Sequence, residues 1–477
     1  MKLFSNKLNW ERFPALFIFG SILSGALCSM GMIYPILFAF THKKRSFVLG
    51  YILLSATTAI FFIQQKKPPL CRKDFVEAYI TPKVLKRSNG KLYLSANIPI
   101  LKTASLEEFE NLSCIIPIEG EHRPLFDQDF IVTGTIKRSP YGYFLQPASW
   151  EKVSLTFSLA ELRYRCKRGA EKIIHKHTLD NDVRGYFSSL VTGDVSDLFI
   201  KERFKAVGLL HTLAISGFHF GWVIFVLSVP LSLIFPKKWS LIVLLFFAWV
   251  YLLFLGSSAS VSRAFLAITI YLVSILISTV ALPLNALGLA GVISFLISPY
   301  CLFDLSFSLS YLATFAILTL YPLISEITGL FCRKRDQKTL LLMPFFDKIA
   351  YFVLRMLLLG GVLSMVIQIV LLPLLIGYFP FFSLWGIFYN MYFPLSMIPT
   401  LVLLILSFIF PPLWRVNEMY SKPFLESVLY GNGFASLLVK LPGVHPQILS
   451  GVCCLLIFLC LRQEGIYHEE NLDLQDQ

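Results

Sequence analysis

The chain has 477 residues, of which 56% are hydrophobic and only 15% are charged. Soluble domains carry about a quarter charged residues, so this composition excludes an ordinary soluble protein. The formal net charge is +13. In membrane proteins an excess of Lys and Arg lies largely in cytoplasmic loops and sets orientation, so this charge is not by itself a nucleic-acid signal.

Charge-free stretches recur along the chain and reach or approach the ~20 residues that an α-helix needs to cross a bilayer. They cover residues 14–40, 47–63, 206–236, 239–262, 264–303, 305–325, 356–414 and 441–461. A cleaved signal peptide before a soluble domain would not repeat such stretches to the end of the chain. The sequence therefore predicts a polytopic α-helical membrane protein.

The pattern predicts an N-terminal transmembrane unit (1–65), an extracytoplasmic β domain (66–153), a helical linker (154–205), a transmembrane bundle (206–461) and a short polar tail (462–477). Four segments of the β domain are rich in β-branched and aromatic residues: "FVEAYITPKV", "KLYLSANIPI", "DFIVTGTIKR" and "YGYFLQPASW". About five strands, with a hairpin at Pro140-Tyr141-Gly142, suit a small barrel of the oligonucleotide-binding (OB) type. "LAELRYRCKRGAEKIIHKH" predicts a helix in the linker.

Basic loops predict the orientation, because cytoplasmic loops are enriched in Lys and Arg. Lys2, Lys7 and Arg12 place the N-terminus inside, and "THKKRS" is also inside if "SGALCSMGM" turns a tight or re-entrant hairpin. The β domain then lies outside, whereas residues 237–238 and 333–335 lie inside. If residues 356–414 make two spans, the loop with Arg415 and Lys422 is inside and the tail is outside.

The stretch "GLLHTLAISGFHFGWV" brings polar groups to the start of the predicted bundle. In a continuous helix His211 and His219 lie near one face, and Ser216-Gly217 is a place where the helix can break toward a cavity. We interpret the stretch as a pore lining or binding point, with interfacial histidines and tight small-residue packing as the alternative. An intramembrane hydrolase using Asp194, His211, Ser216 and His219 is a weaker alternative, because Ser216 has no nucleophile-elbow context.

Arg263 is the only charged residue between Lys238 and Asp304 and stands near the start of an apolar run. An ionisable group within a membrane is a functional hypothesis by default, and snorkelling to the outer interface is the alternative. Asp304 is a candidate partner for this arginine. Asn285 and Asn390 fit either interhelical packing or pore polarity.

Arg168, Lys172 and Lys176 share one face of the linker helix, spaced at i and i+4. This face suits phosphate gathering, lipid headgroup binding or simple solvation. The nine cysteines show no metal-ligand spacing, so no metal site is predicted. Cys71 and Cys114 flank part of the strand region and are a candidate disulfide outside the membrane.

The segment "LVTGDVSDLFIKERFKAVGLLHTLAISGFHFGWV" resembles the signature of the ComEC competence-protein family. The family's Gly-Asp element and its Gly-Leu-x-His-x-x-Ala-Ile-Ser-Gly-x-His element map onto Gly193, Asp194, Gly208, Leu209, His211, Ala214, Ile215, Ser216, Gly217 and His219. "GSSASVSRAFL" resembles a family segment with an arginine, here Arg263. "LPLNALGLAGVISFLISPYCLFDLSFSLSYLATFAIL" resembles segments that place Asn285, Asp304 and Ser310, and "SLWGIFYNMYFPLSMIPT" is loosely similar to one with Asn390 and Pro394.

The resemblance implies a multi-pass channel in the cytoplasmic (inner) membrane that passes single-stranded DNA during natural transformation, with no enzymatic activity and no cofactor. It implies the DNA strand, the lipid bilayer, a DNA receptor and a cytoplasmic translocation motor as partners, and it allows a homo-oligomer. Many family members carry a metallo-β-lactamase-like domain with a His-x-His-x-Asp-His motif. This sequence holds no such motif, so we expect a separate nuclease. A small-solute transporter is the alternative function.

Overall fold

A computed structural model describes residues 13–29, 45–64, 74–88, 91–103, 108–118, 128–139, 142–155, 159–195, 197–213, 215, 217–256, 258–279, 282–333, 335–378, 381–383, 385–429, 438–440, 452 and 456–457. The chain divides into two compact units. One comprises residues 67–202 and 253–256 and is termed the β unit. The other comprises residues 1–66, 203–252 and 257–477 and is termed the bundle unit.

Five strands form the sheet of the β unit. They are β1 (Asp74–Ser88), β2 (Lys91–Thr103), β3 (Glu108–Ile118), β4 (Gln128–Ser139) and β5 (Gly142–Leu155). Strand β1 pairs antiparallel with both β2 and β4, β2 pairs with β3, and β4 pairs with β5. A short parallel contact joins β3 to β5. The four segments singled out in the sequence lie in β1, β2, β4 and β5, and Ser139 pairs with Gly142 beside the expected hairpin.

Alternate residues of the strands build the core of the sheet. Val76, Ala78 and Ile80 are buried on one side of β1, as expected from the two-residue period of a strand. Strand β3 adds Cys114 and Ile116 to the same core. Its alternation of apolar and polar residues is interrupted at Glu110-Asn111 and again at Ile115-Ile116, and the sequence did not single out this strand. It forms by pairing along β2.

Three helices follow the strands: α3 (Leu159–His177), α4 (Asn181–Thr192) and α5 (Leu198–Ala206), of which the last continues into the bundle unit. The bounds of α3 coincide with the predicted linker helix. Helix α4 starts at Asp180, whose carboxylate accepts from the backbone N–H groups of Asp182 and Val183, and it ends at Gly193 with a φ of 75°. These caps set the position of the Gly193-Asp194 element.

The bundle unit consists mainly of apolar helices. They are α1 (Pro14–Ser29), α2 (Arg45–Gln64), α6 (Leu210–Leu213), α7 (Gly217–Ile234), α8 (Lys237–Leu255), α9 (Ala259–Leu276), α10 (Pro283–Ile297), a 3-10 helix (Pro299–Phe303), α11 (Leu305–Phe331), α12 (Gln337–Leu342), α13 (Phe345–Tyr378), α14 (Trp385–Ser407) and α15 (Leu413–Leu429). Short strands β6 (Phe381–Ser383) and β7 (Leu438–Lys440) pair with each other.

Within the described ranges, five helical segments are long and apolar enough to cross a membrane. They are the segment Leu210–Ile234, which takes in the separate helices α6 and α7, and the helices Lys237–Leu255, Leu305–Phe331, Phe345–Tyr378 and Trp385–Ser407. Helices α1, α2, α9 and α10 contain shorter apolar stretches. The prediction of a helical, multi-pass membrane protein is therefore confirmed.

Helix α1 packs closely on α10, where the side-chain oxygen of Asn285 accepts from the backbone N–H of Ala15 at 2.9 Å. That N–H lies in the first turn of α1, where it has no partner within the helix. A Cβ on Gly288 would stand 2.2 Å from the backbone nitrogen of Leu16. This hydrogen bond is a packing contact of Asn285, and packing is one of the two roles that the sequence left open.

The hairpin expected at "SGALCSMGM" is wrong over its first part, because α1 continues as a helix to Ser29. Contacts with α2 hold this end of α1: the hydroxyls of Ser24 and Tyr51 are 2.6 Å apart, and Ser55 donates to the carbonyl of Ser21 at 3.0 Å. Residues 30–44, with the rest of the proposed turn and "THKK", lie outside the described residues.

The expected loop with Arg415 and Lys422 is also wrong, because both residues belong to α15. This helix packs a polar face on α14: fully buried Asn417 donates to the carbonyl of Thr400 at 3.2 Å, and Ser421 contacts the hydroxyl of Thr400 at 3.0 Å. Arg415 and Lys422 suggested a loop because they are charged, but they pair with Glu418 and Glu426 within the same helix.

Candidate functional site

The helix that carries the two histidines is interrupted. Helix α6 ends at Leu213, α7 begins at Gly217, and Ile215 between them is not helical. Ala214 and Ser216 lie outside the described residues, so the structure does not place the Ser216 hydroxyl. The condition of a continuous helix, under which the two histidines would share a face, is therefore not met, and the helix breaks beside Ser216-Gly217.

Gly208 sets the turn that leads into α6. Its φ of +78° lies in the left-handed region, where a side chain is disfavoured. A Cβ there would also stand 3.2 Å from the Cα of Gly386 and 3.7 Å from the Cβ of Ser383. The start of the histidine stretch thus packs closely against the start of α14.

The two histidines differ in their environments. The His211 side chain has accessible surface although protein surrounds it deeply, and a hydrogen bond connects it to the backbone of Gly208. His219 is only 1% exposed and packs near the ring of Phe218, with 6.3 Å between ring centroids. The two imidazoles are close enough to interact electrostatically across the break. His211 therefore keeps accessible surface, whereas buried His219 supports the start of α7.

Arg263 on α9 reaches α11. Its Nε donates to the hydroxyl of Ser310 at 2.7 Å, and its Nη1 donates to the hydroxyl of Thr314. Its Nη2 is 3.3 Å from the place where a Cβ on Gly217 would stand. The guanidinium thus lies beside the first residue of α7, next to the helix break.

The sequence did not single out Thr314, although it stands one helical turn after Ser310 and so shares its face. Among the described residues Arg263 forms no ion pair with a carboxylate, and its hydrogen-bonding partners are the two hydroxyls. The charge of this arginine is therefore held by neutral groups alone.

Asp304 does not pair with Arg263 in the structure. It caps α11, where its carboxylate accepts from the backbone N–H of Ser306 at 3.1 Å, and it is exposed. A carboxylate at this position also interacts favourably with the helix dipole. Asp304 therefore fixes where α11 begins, and with it the positions of Ser310 and Thr314.

Asp194 belongs to the β unit, whereas His211 and His219 belong to the bundle unit. Its carboxylate lies 3.0 Å from the Nζ of Lys167 on α3. Burial lowers the pKa of the neighbouring Arg163, and the negative charge of Asp194 opposes that shift. Asp194 thus has cationic neighbours within its own unit.

Asn390 lies on α14, one turn after Gly386, and its side-chain oxygen is buried with no hydrogen-bond partner among the described residues. The same holds for the side-chain oxygens of Gln368 on α13 and Ser383 on β6. Gln368 and Ser383 both lie close to the Gly208–Gly386 contact. Leaving such a group unpaired costs about 1–3 kcal/mol, so this region suits a further polar partner. The sequence singled out Asn390 alone.

The Cys114 thiol is free and fully buried in the sheet core, and burial raises its pKa to about 12. Cys71 lies outside the described residues. The bridge between them therefore stays a prediction. In the part of the chain that the structure describes, no group of three or more His, Cys, Asp or Glu side chains is placed to hold a metal ion.

Comparison with known proteins adds an independent finding. A family model described as Competence protein matches residues 190–465, which is more than half of the chain. ComE operon protein 3 of Bacillus subtilis (strain 168) is 28% identical over 155 residues, which cover 31% of this chain and 20% of that protein. The match thus spans a fifth of the length of this curated relative. No solved structure matches the chain.

Proposed function

Because the chain belongs to the competence protein family, we propose that it is a channel for single-stranded DNA in the cytoplasmic (inner) membrane during natural transformation. The observation that carries this proposal is Arg263, whose partners among the described residues are two hydroxyls beside a broken helix. A half-buried charge without an ionic partner is costly inside a membrane, so such an arginine is suited to a mobile anion. The phosphates of a passing strand supply that anion.

The guanidinium is the appropriate group for this task. Arginine stays charged and presents a planar fork that matches phosphate oxygens. Ser310 and Thr314 occupy Nε and Nη1, which hold the plane in one orientation and leave Nη2 toward Gly217. Arg263 thus offers its remaining N–H groups at the point where α6 and α7 are interrupted.

Neutral polar groups contact the other parts of the DNA strand. Exposed His211 donates and accepts hydrogen bonds, as does an amide such as that of Asn390. Groups of this kind contact sugars and base edges without selecting one sequence. A channel that imports DNA of any sequence needs such contacts. Passing a strand across a membrane requires no catalytic residue, so we propose that the protein has no enzymatic activity.

The β unit supports the proposal through its strand order. The sequence of neighbours β1-β2-β3-β5-β4, with β4 paired back to β1, is the basis on which we propose an OB-like barrel, a fold whose members bind oligonucleotides. The remaining partners are proposals of the same kind: a DNA receptor outside, a translocation motor inside, a separate nuclease, and further copies of the chain.

The test follows labelled DNA in transformable cells that lack the gene and carry either the wild type or Arg263→Gln. We expect Arg263→Gln to let DNA arrive outside the membrane without entering the cytoplasm, at normal protein abundance. Lys238→Gln removes a cation at the exposed start of α8 and is the matched control, with normal entry. Normal entry with Arg263→Gln would remove the assignment of this arginine to the DNA path.

The purified protein separates the alternatives. A channel for DNA binds single-stranded oligonucleotides with an affinity that falls as salt rises, because phosphate contacts release counterions. Hydrolysis of acyl or peptide probes, lost in His211→Ala and His219→Ala, would instead support the intramembrane hydrolase. Uptake of small solutes by proteoliposomes without DNA binding would support the transporter.

A further inference from the structure

Helix α3 exposes an apolar stripe. Leu159, Leu162 and Ile173 are each about half exposed (50%, 53% and 43%), and Cys166 is exposed between them. Their spacing of three, four and seven residues puts all four on one face of a helix. About a quarter turn round the helix from this stripe, Ile174 is fully buried against the rest of the unit. An aliphatic face that stays exposed along a helix of this length indicates a surface that contacts another apolar surface or a lipid phase.

A cationic stripe runs beside the apolar one. It consists of Arg165, Arg168, Lys172 and Lys176. At about 100° per residue its centre lies roughly a quarter turn from the apolar stripe. Arg165 pairs with Glu161 at 2.9 Å and Arg168 with Glu171 at 2.8 Å.

The two lysines form no ion pair among the described residues, and both are exposed. Together with Arg168, Glu171 and His175 they line a shallow cleft. Lys172 and Lys176 therefore present uncompensated charge along the edge of the apolar stripe.

We propose that α3 lies in the plane of the bilayer surface, with its apolar stripe among the acyl chains and its lysines on the phosphates of anionic lipids. Helices that bind this way combine an apolar face with a flanking cationic face, and long basic side chains reach back to the headgroups. The bilayer is at hand because the chain itself crosses it. This role is independent of the channel function proposed above.

The same phosphates could belong to DNA, but the exposed stripe favours lipid. Proteins that track single strands combine cations with aromatic side chains on which bases stack. The stripe beside these lysines is aliphatic. Apart from the imidazoles of His175 and His177, the one aromatic ring of α3 is that of Tyr164, which accepts a hydrogen bond from Arg168. Leu162 and Ile173 offer a base no ring to stack on, but they match acyl chains.

The experiment uses full-length protein in nanodiscs whose lipids carry a nitroxide quencher on the acyl chain. A fluorophore on Cys166 reports depth, in a variant whose other cysteines are alanine. We expect quenching to be stronger in phosphatidylglycerol-containing discs than in phosphatidylcholine discs. Each lysine near an anionic surface changes partitioning about fivefold, so Lys172→Glu with Lys176→Glu should reduce quenching to the phosphatidylcholine level.

Lys137→Glu with Lys152→Glu reverses two exposed charges of the sheet and should leave the quenching unchanged. If the cysteine variant does not fold, the alkylation rate of Cys166 in wild-type protein replaces it, with slower alkylation expected in phosphatidylglycerol. Equal quenching in both kinds of lipid would overturn the proposal. Quenching that Lys172→Glu with Lys176→Glu leaves unchanged would overturn it as well. So would a response to a single-stranded oligonucleotide in phosphatidylcholine discs combined with none to phosphatidylglycerol, which would assign the face to DNA.

Discussion

The guanidinium of Arg263 donates to the hydroxyl of Ser310 at 2.7 Å and so joins α9 to α11 through a charged group. The two residues stand 47 positions apart in the chain. Because the acceptor is neutral, the bond orients the arginine without cancelling its charge. An oriented and uncancelled cation is what distinguishes a binding group from a structural ion pair.

Arg263→Lys tests the importance of that orientation. Lysine keeps the charge but loses the planar fork, so it cannot hold both hydroxyls and a phosphate in one geometry. A hydrogen bond to a charged group is worth about 1.5–3 kcal/mol, so we expect DNA entry to fall roughly tenfold or more. Uptake of labelled DNA, normalised to protein in the membrane, measures this. Wild-type entry would show that charge alone suffices.

Gly217→Ala should disturb the same group from the side of α7. The added Cβ would stand 3.3 Å from Nη2 of Arg263, so the guanidinium must shift. We expect reduced DNA entry with near-normal abundance. Gly221→Ala is the matched control, since a Cβ on this neighbouring glycine of α7 meets nothing within 4 Å. Equal entry by the two variants would mean that Arg263 tolerates the shift.

Gly288→Ala should destabilise the packing of α1 on α10. Its Cβ would lie 2.2 Å from the backbone nitrogen of Leu16, and backbone cannot move aside as a flexible side chain can. Overpacking of this kind costs about 1–3 kcal/mol, so the melting temperature of the purified protein should fall. Gly329→Ala is the control on α11, where a Cβ meets nothing within 4 Å. A melting temperature unchanged by Gly288→Ala would contradict this packing.

Cys114 should react slowly with a maleimide at neutral pH in the folded protein and readily once the protein is unfolded. Burial raises the pKa of Cys114 to about 12 from an ordinary 9.0, which keeps the folded thiol protonated. The unfolded thiol ionises first, so its contribution to stability is present below pH 9.0 and is lost as the pH rises toward 12. Denaturant unfolding of wild type and Cys114→Ala across this window isolates the contribution.

The same alkylation, read by mass spectrometry on protein from native envelopes, tests the predicted bridge. A disulfide between Cys71 and Cys114 would leave both residues unmodified until reduction. Free thiols at both positions, revealed after unfolding without reductant, would remove the bridge.

Membrane orientation is tested by a reporter that is active only in the cytoplasm. Fused after Gly142, it should be inactive, because the basic loops predict that the β unit lies outside. Fused after Lys238, it should be active. Activity after Gly142 would reverse the predicted path.

Local patterns in the sequence predicted much of the architecture. The apolar runs predicted the membrane helices because a helix must be uniformly apolar to cross a bilayer, and that property is visible within ~20 residues. Alternation predicted most of the sheet, and the period of "LAELRYRCKRGAEKIIHKH" predicted α3 with its bounds. Motif spacing identified the family and singled out Arg263 and Ser310.

Only the tertiary structure decided which residues pair with each other, because hydrogen-bonding and strand-pairing partners come from distant parts of the chain. Strand β3 exists through its pairing with β2, and Asn285 finds its donor at Ala15, 270 residues away. Arg263 meets Ser310 and Thr314 rather than the carboxylate of Asp304, which caps α11. A hydrogen bond depends on distances of about 3 Å, and only packing of whole helices determines which distant groups come that close.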